Sequence, residues 1–232
     1  MAEKRKRKPR YVSPAGFSIW PYLNKPDDQP INGNPQRPAY KNRLRLDEDD
    51  DTPVLINGKK SDESMKELID RLVDEAWDEH EIPAKYKKKA SKIYPYEEEV
   101  DEEGEPTGNL IFKFKQNAEI EVNGEKRKVT IDLFDARKKK VKSLVGNGSI
   151  VKMAFTTRPF GMVQGKDYIV GISLDFSAAQ VLKLEAYGGG NADSYGFGDE
   201  EDYDGVDDDY QDDDDDSDGT EPADDTDDDD DF

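Results

Sequence analysis

The chain has 232 residues, with 34 basic and 55 acidic side chains, a formal net charge of −21 and no cysteine. The missing cysteines exclude disulfides and thiolate metal sites. Hydrophobic residues make up only 33% of the chain, which leaves about 170 residues able to fold as one domain.

The charge is unevenly placed. Between Asp193 and Phe232 lie 23 of the acidic residues and none of the basic ones, so residues 1–192 carry +2. A Gly/Asp run of this kind cannot bury enough apolar surface to offset ordering entropy, so residues 188–232 are expected to form a disordered acidic tail. A near-neutral body with its own polyanion attached suggests that the natural ligand is another polyanion. No apolar run approaches the roughly 20 residues of a membrane span, and the N-terminus shows no signal-peptide pattern. The expected setting is the cytosol.

Residues 1–16 read as a basic N-terminal arm, Lys4 to Arg10 being its cationic part. A phosphate-contacting arm is expected, with a nuclear-localisation signal as the rival. From Phe17 the chain turns apolar through Ile19, Trp20, Tyr22 and Leu23, then breaks at Lys25-Pro26-Asp27 and Gly33-Asn34-Pro35. Tyr40, Asn42, Leu44 and Leu46 alternate with Lys41, Arg43 and Arg45, which predicts a strand with one basic face. Met65, Leu68, Ile69, Leu72, Val73, Ala76 and Trp77 form one helical stripe over residues 61–82. Ser64 with Glu67 makes a capping box, and Pro83 marks the end. Residues 83–108 are Lys-rich, then Glu-rich, and read as a surface loop.

Beyond it the period becomes two. Phe112 and Phe114 alternate with Lys113 and Lys115. Asn123-Gly124 suggests a hairpin turn before Val129, Ile131 and Leu133. Val151, Met153 and Phe155 predict another strand, and Tyr168 to Phe176 a long one. Leu182 and Leu184 follow a bulge or turn near Ser177–Gln180. The class is all-β: five or six strands and one long helix, with the domain spanning 17–187. A small antiparallel β-barrel with a packed helix fits this count. An open sheet with a helix on one face fits almost as well.

Catalytic signatures are weak. His80 is the one histidine and reads as a solvated residue. There is no nucleotide-binding fingerprint. Asp214, Asp216, Asp218, Gly219 and Asp225 match calcium-loop offsets, which a run this rich in Asp produces by chance. No metal or other cofactor is expected. A binding surface is what remains. Cations interleave with aromatics at Trp20, Tyr22, Arg37, Tyr40, Arg43, Arg45, Phe112, Lys113, Phe114, Lys115, Lys152, Arg158 and Phe160. Cations for the backbone and aromatic faces for unstacked bases suit single-stranded nucleic acid. Trp20, Tyr22 and Phe160 sit beside prolines, apparently at loop edges, and are candidate stacking platforms. Phe112, Phe114 and Phe155 read as core. An acidic chaperone or assembly protein, and a single-stranded RNA-binding protein, are the alternative classes.

Trp20-Pro21-Tyr22-Leu23-Asn24-Lys25-Pro26-Asp27, Gly33-Asn34-Pro35 with Arg37, Ile111 to Lys115, Gly146 to Ser149 and Ala186 to Gly190 occur in an order that resembles the single-stranded DNA-binding proteins of T-odd podoviruses. The acidic tail ending in Phe matches too. The resemblance implies an OB-fold barrel, a homodimer and a role in phage DNA replication, recombination and repair in the cytoplasm of the infected bacterium. It implies that the tail, through Asp230, Asp231 and Phe232, docks the phage DNA polymerase and primase-helicase. It carries DNA contact to Arg37, Lys113, Lys115 and Phe160.

Overall fold

Strict two-residue alternation over long stretches builds most of this molecule. The structure is a computed structural model that describes residues 8–30, 34–122 and 124–185. Lys4 to Arg7, Gly33, Asn123 and the acidic segment with Asp230, Asp231 and Phe232 lie outside the described residues. In chain order the strands and helix are β1 (Tyr11–Val12), β2 (Gly16–Asp27), β3 (Ala39–Asp47), β4 (Leu55–Ile56), β5 (Lys59–Lys60), α1 (Met65–Glu79), β6 (Ala90–Ile93), β7 (Tyr96–Val100), β8 (Pro106–Asn117), β9 (Glu119–Val122), β10 (Glu125–Lys128), β11 (Asp132–Asp135), β12 (Ile150–Gln164) and β13 (Asp167–Lys183).

Five of these strands close on one another. β2 pairs antiparallel with β3, and β3 with β8. β8 meets β13 in parallel at Phe114 and Leu174. β13 pairs with β12 over its whole length, and β12 returns to β2 at Ile150 and Phe17. A five-stranded ring with these connections is the OB-type barrel the resemblance implied. The open-sheet alternative falls, because the β12–β13 and β12–β2 pairings close the path.

Inward positions fill the ring. Phe112, Phe114, Met153, Phe155, Leu174 and Phe176 are buried, and Phe114 meets Phe155 and Phe176 edge-on at 5.3 and 6.4 Å, the geometry aromatic quadrupoles favour. One polar pair lies inside: Ser18 Oγ is 2.5 Å from Asn42 Oδ1, locking β2 to β3 in register. α1 packs against β13 with Met65, Leu68, Ile69, Val73 and Ala76, the four larger side chains each contributing about 1.5–3 kcal/mol by burial. Both halves of its capping box form, Ser64 Oγ accepting from Glu67 N at 3.3 Å and Glu67 Oε2 from Ser64 N at 2.9 Å.

Several expectations change. The stretch 1–16 is not wholly an arm: Tyr11 is buried and β1 pairs with both β12 and β4. Residues 83–108 hold β6 and β7 rather than a loop. Their charged sequences lack alternation because they sit at sheet edges with one side in water. Trp20, Tyr22 and Phe160 lie within strands, not at loop edges: Pro21 falls where the β2–β3 register shifts, and Pro159 in a stretch of β12 paired on one side only, positions where a strand tolerates proline. The run Val129 to Leu133 does not form the second hairpin strand. β9 pairs with β10 instead, and β11 begins only at Asp132, parallel to β13. At Ser177 the bulge is real. Ala154 faces Ala178 and Phe155 faces Phe176, so Ser177 is the extra residue and β13 runs on without a turn. His80 is not solvated but half-buried, its Nε2 2.8 Å from the Tyr168 hydroxyl.

Candidate nucleic-acid interface

Register decides which side chains share the outer face of the barrel. Arg43 lies opposite Lys113 and Lys41 opposite Lys115 on β3 and β8. On the other side of β3, Phe17 lies opposite Arg45, Ile19 opposite Arg43 and Tyr22 opposite Lys41. Directly opposed residues project to the same side, so Lys41, Arg43, Arg45, Lys113 and Lys115 form one cationic sheet face edged by Phe17 and Tyr22. In barrels of this topology, the face of the second and third strands and the loops after the first and fourth strands take oligonucleotides or oligosaccharides. Here those are β3 and β8, Arg37 just ahead of β3, and the β12–β13 hairpin.

Two cavities extend this face. One of about 360 Å³ brings together Lys115, Asn117, Ile120, Arg158, Ser173 and Asp175. A second, about 180 Å³, lies between Arg37, Pro38, Ile120 and Lys126. Ile120 lines both, so the cavity with Lys115 and Arg158 and the cavity with Arg37 are neighbours across its side chain. Phe160 stands two residues past Arg158, on the same side of β12, opposite Gly171. It is half-buried.

Most of these cations are held by carboxylates. Lys41 Nζ is 2.7 Å from Asp27 and Arg45 3.4 Å from Glu99. Lys113 bonds Glu97. Asp175 accepts from Arg158 Nε at 2.9 Å and from its NH2 at 3.2 Å. This paired hydrogen bond raises the guanidinium's already high pKa, and the Lys41 ammonium hydrogen bond holds Asp27 below the usual carboxylate range. Arg37, Arg43 and Lys115 have no carboxylate within 4.0 Å among the described residues. Exposed ion pairs contribute only about 0–1 kcal/mol, so a phosphate can replace a carboxylate on this face at small cost. Arg45 also covers Phe17, its Cζ 4.9 Å from the ring centre.

The expected site residues divide. Arg37, Arg43, Lys113, Lys115, Arg158 and Phe160 come together on the face or its cavities. Trp20 and Tyr22 flank it on β2. Trp20 is 68% exposed with φ at 49°, held in this left-handed conformation where the β2–β3 register shifts, its N–H donating to Asn147 Oδ1 at 3.0 Å. Lys152 sits at the other end of β12, opposite Gln180, outside both cavities. Tyr40 is a correction: it is only 6% exposed, because it shares the inward side of β3 with Asn42 and Leu44, and it offers no stacking surface. Phe17 and Lys41 belong to the face and were not among the expected contacts. The alternation that placed Arg43 outward placed Lys41 there as well.

The comparisons with known proteins bear on the family and the fold. The family model described as single-stranded DNA-binding protein, bacteriophage T7, matches residues 17–185. The crystal structure of gp2.5, a single-stranded DNA-binding protein encoded by bacteriophage T7, is similar in fold with a TM-score of 0.54 at 20% identity, covering 80% of this chain and 95% of that one. The single-stranded DNA-binding protein from bacteriophage Enc34 in complex with single-stranded DNA aligns at 13% identity with a TM-score of 0.47, over 81% of this chain and 97% of that one. No curated protein matches the sequence. With the family model covering the whole barrel, the chain belongs to the family of the bacteriophage T7 single-stranded DNA-binding protein.

Proposed function

We propose that this protein coats single-stranded DNA with little sequence preference, in phage replication, recombination and repair. The family is one of DNA-binding proteins rather than enzymes. The observation that carries this conclusion is the cationic β3–β8 face with its two neighbouring cavities, one lined by Lys115 and Arg158 and the other by Arg37. Lys113, Arg43 and Lys41 neutralise phosphates. Phe160, Tyr22 and Trp20 stack on bases, which contributes about 1–3 kcal/mol per base whatever the base.

Residues 193–232 act as a tethered competitor for the same cations. When DNA displaces them, Asp230, Asp231 and Phe232 become available to basic pockets on a phage DNA polymerase and primase-helicase. The working unit is a homodimer in the cytoplasm of the infected bacterium. The resemblance of the ordered motifs and the separation of charge support this part.

Fluorescence titration with single-stranded DNA, duplex DNA and single-stranded RNA at two salt concentrations tests the proposal. Single-stranded DNA should bind tightest, with log affinity falling against log salt by about 0.7 per phosphate contact. Binding that ignores salt would remove the groove. Preference for RNA would move the protein to the RNA-binding class, and no nucleic-acid binding at all would favour the acidic chaperone.

A further inference from the structure

The densest run of positive charge in the described residues lies outside the face just described. Arg137, Lys138, Lys139, Lys140 and Lys142 occupy the loop after β11, and all are exposed. The loop is held in one shape. Asp135 Oδ1 accepts from Arg137 N and Lys139 N, both at 2.8 Å. Asp135 N donates to Lys139 O at 2.8 Å, and Val141 N to Leu133 O at 2.9 Å. Lys138 takes the left-handed conformation, φ 63°, which the turn requires. The one nearby acid of the turn is thus spent on main-chain donors. Only Lys140 has an ion pair, with Asp132 at 3.2 Å. Arg137, Lys138, Lys139 and Lys142 have no carboxylate within 4.0 Å among the described residues, in contrast to the clamped Lys41, Arg45, Lys113 and Arg158.

Like charges crowded this closely repel one another, and a fixed turn that keeps them together is favoured when an anion shares the space. The loop borders a depression of about 490 Å³ floored by Leu182 and Leu184. It is also joined to the β3–β8 face. Asn24 on β2 donates to Lys142 O at 3.4 Å and Ser143 O at 3.0 Å. Leu144 and Tyr22 line a shared apolar cavity of about 210 Å³, and Tyr22 lies opposite Lys41. Lys115, Lys41 and Tyr22 thus form a row across β8, β3 and β2, and the loop is attached to β2 two residues beyond Tyr22, at Asn24.

We infer that the loop Arg137–Lys142 is a second phosphate-binding segment, which takes single-stranded DNA leaving the β3–β8 face past Tyr22. This rests on the proposed groove and adds a length of track to it. The attachment of the loop to β2 beside Tyr22 favours the DNA backbone over an acidic protein, which would need no connection to the groove.

The test compares the full chain with the R137A/K139A/K142A variant, which breaks no ion pair. Two oligothymidylates are used, one of about 8 nucleotides, within the span of a single OB barrel, and one about three times longer. The variant should bind the short strand as the unaltered chain does. Its affinity for the long strand should fall roughly tenfold at low salt, and the salt slope should shrink by up to about 2, since each lost contact removes about 0.7. Lysine-to-arginine replacement in the loop should restore both. Unchanged binding of the long strand would overturn the inference and leave the loop to an acidic partner. A parallel loss on both lengths would overturn it as well, by placing the loop inside the groove. An unaltered chain that binds neither length would instead remove the groove, and the extension with it.

Discussion

Phe155 and Phe160 stand on one strand at an odd spacing, and the alternation of side chains sends them to opposite faces. Phe155 is fully buried between Tyr11 and Phe114, whereas Phe160 lies half-exposed beside Arg158. Phe155→Ala should destabilise the barrel by about 3–5 kcal/mol, the usual cost of emptying an aromatic core position. Phe160→Ala should leave the thermal midpoint close to that of the unaltered chain and weaken single-stranded DNA binding by about 1–3 kcal/mol. Denaturant melts and DNA titrations of the two variants side by side read both quantities. If Phe160→Ala unfolds the protein as Phe155→Ala does, its ring belongs to the core. The same periodicity explains Tyr40. Its neighbours Lys41 and Arg43 made it look like part of a binding patch by composition, but its alternation with Asn42, Leu44 and Leu46 pointed inward. Where composition and period disagreed, the period set the side-chain direction.

At the scale of elements, legibility followed burial. α1 was readable from its stripe and capping box because one face is buried along its whole length, and β3, β8 and β13 for the same reason with period two. β6 and β7 were not readable: most of their side chains are exposed, so nothing forces alternation, and their pairing comes from partners distant in sequence. β6 owes its place to a residue outside it. Gly171 on β13 lies opposite Ile93, and a Cβ there would come within 2.4 Å of Ile93 O and 2.6 Å of its Cγ2. Gly171→Ala must push β6 away from β13 rather than turn a flexible side chain. The expected loss is about 1–3 kcal/mol, as for other overpacked sites, with the amides of β6 losing protection in hydrogen exchange ahead of the barrel. A Gly171→Ala protein with native stability and native protection at Ile93 would mean that the two strands do not approach this closely. The candidate face was legible to the same degree as its strands. Arg43, Lys113 and Lys115 followed from alternation, while their meeting with Arg158 depended on the parallel β8–β13 contact, which no local pattern encodes.

For the molecule as a whole, the decisive quantity is the separation of charge. Residues 1–192 are at +2 while the chain is at −21, and the cations of the β3–β8 face are already matched in part by their own carboxylates. If residues 193–232 compete for these cations, as proposed, they do so through local concentration. Forty residues that followed flexible-chain scaling would reach on the order of 35 Å, and a tether of that kind would hold its charges at roughly millimolar effective concentration. Deleting residues 193–232 should therefore tighten binding to single-stranded DNA at low salt. The advantage should shrink as salt rises, because screening weakens competitor and ligand contacts alike beyond about 10 Å at 0.1 M. Removing Phe232 alone leaves the charge of the segment intact, so DNA affinity should barely change while binding to the polymerase drops. Titrations of the three proteins against one oligonucleotide, with polymerase pull-down in parallel, separate the two roles. If the deletion binds DNA no more tightly than the full chain at low salt, the acidic segment does not compete for the cationic face. Its charge then serves partner binding alone, and among the described residues the DNA has to displace Asp27, Glu99, Glu97 and Asp175 from Lys41, Arg45, Lys113 and Arg158.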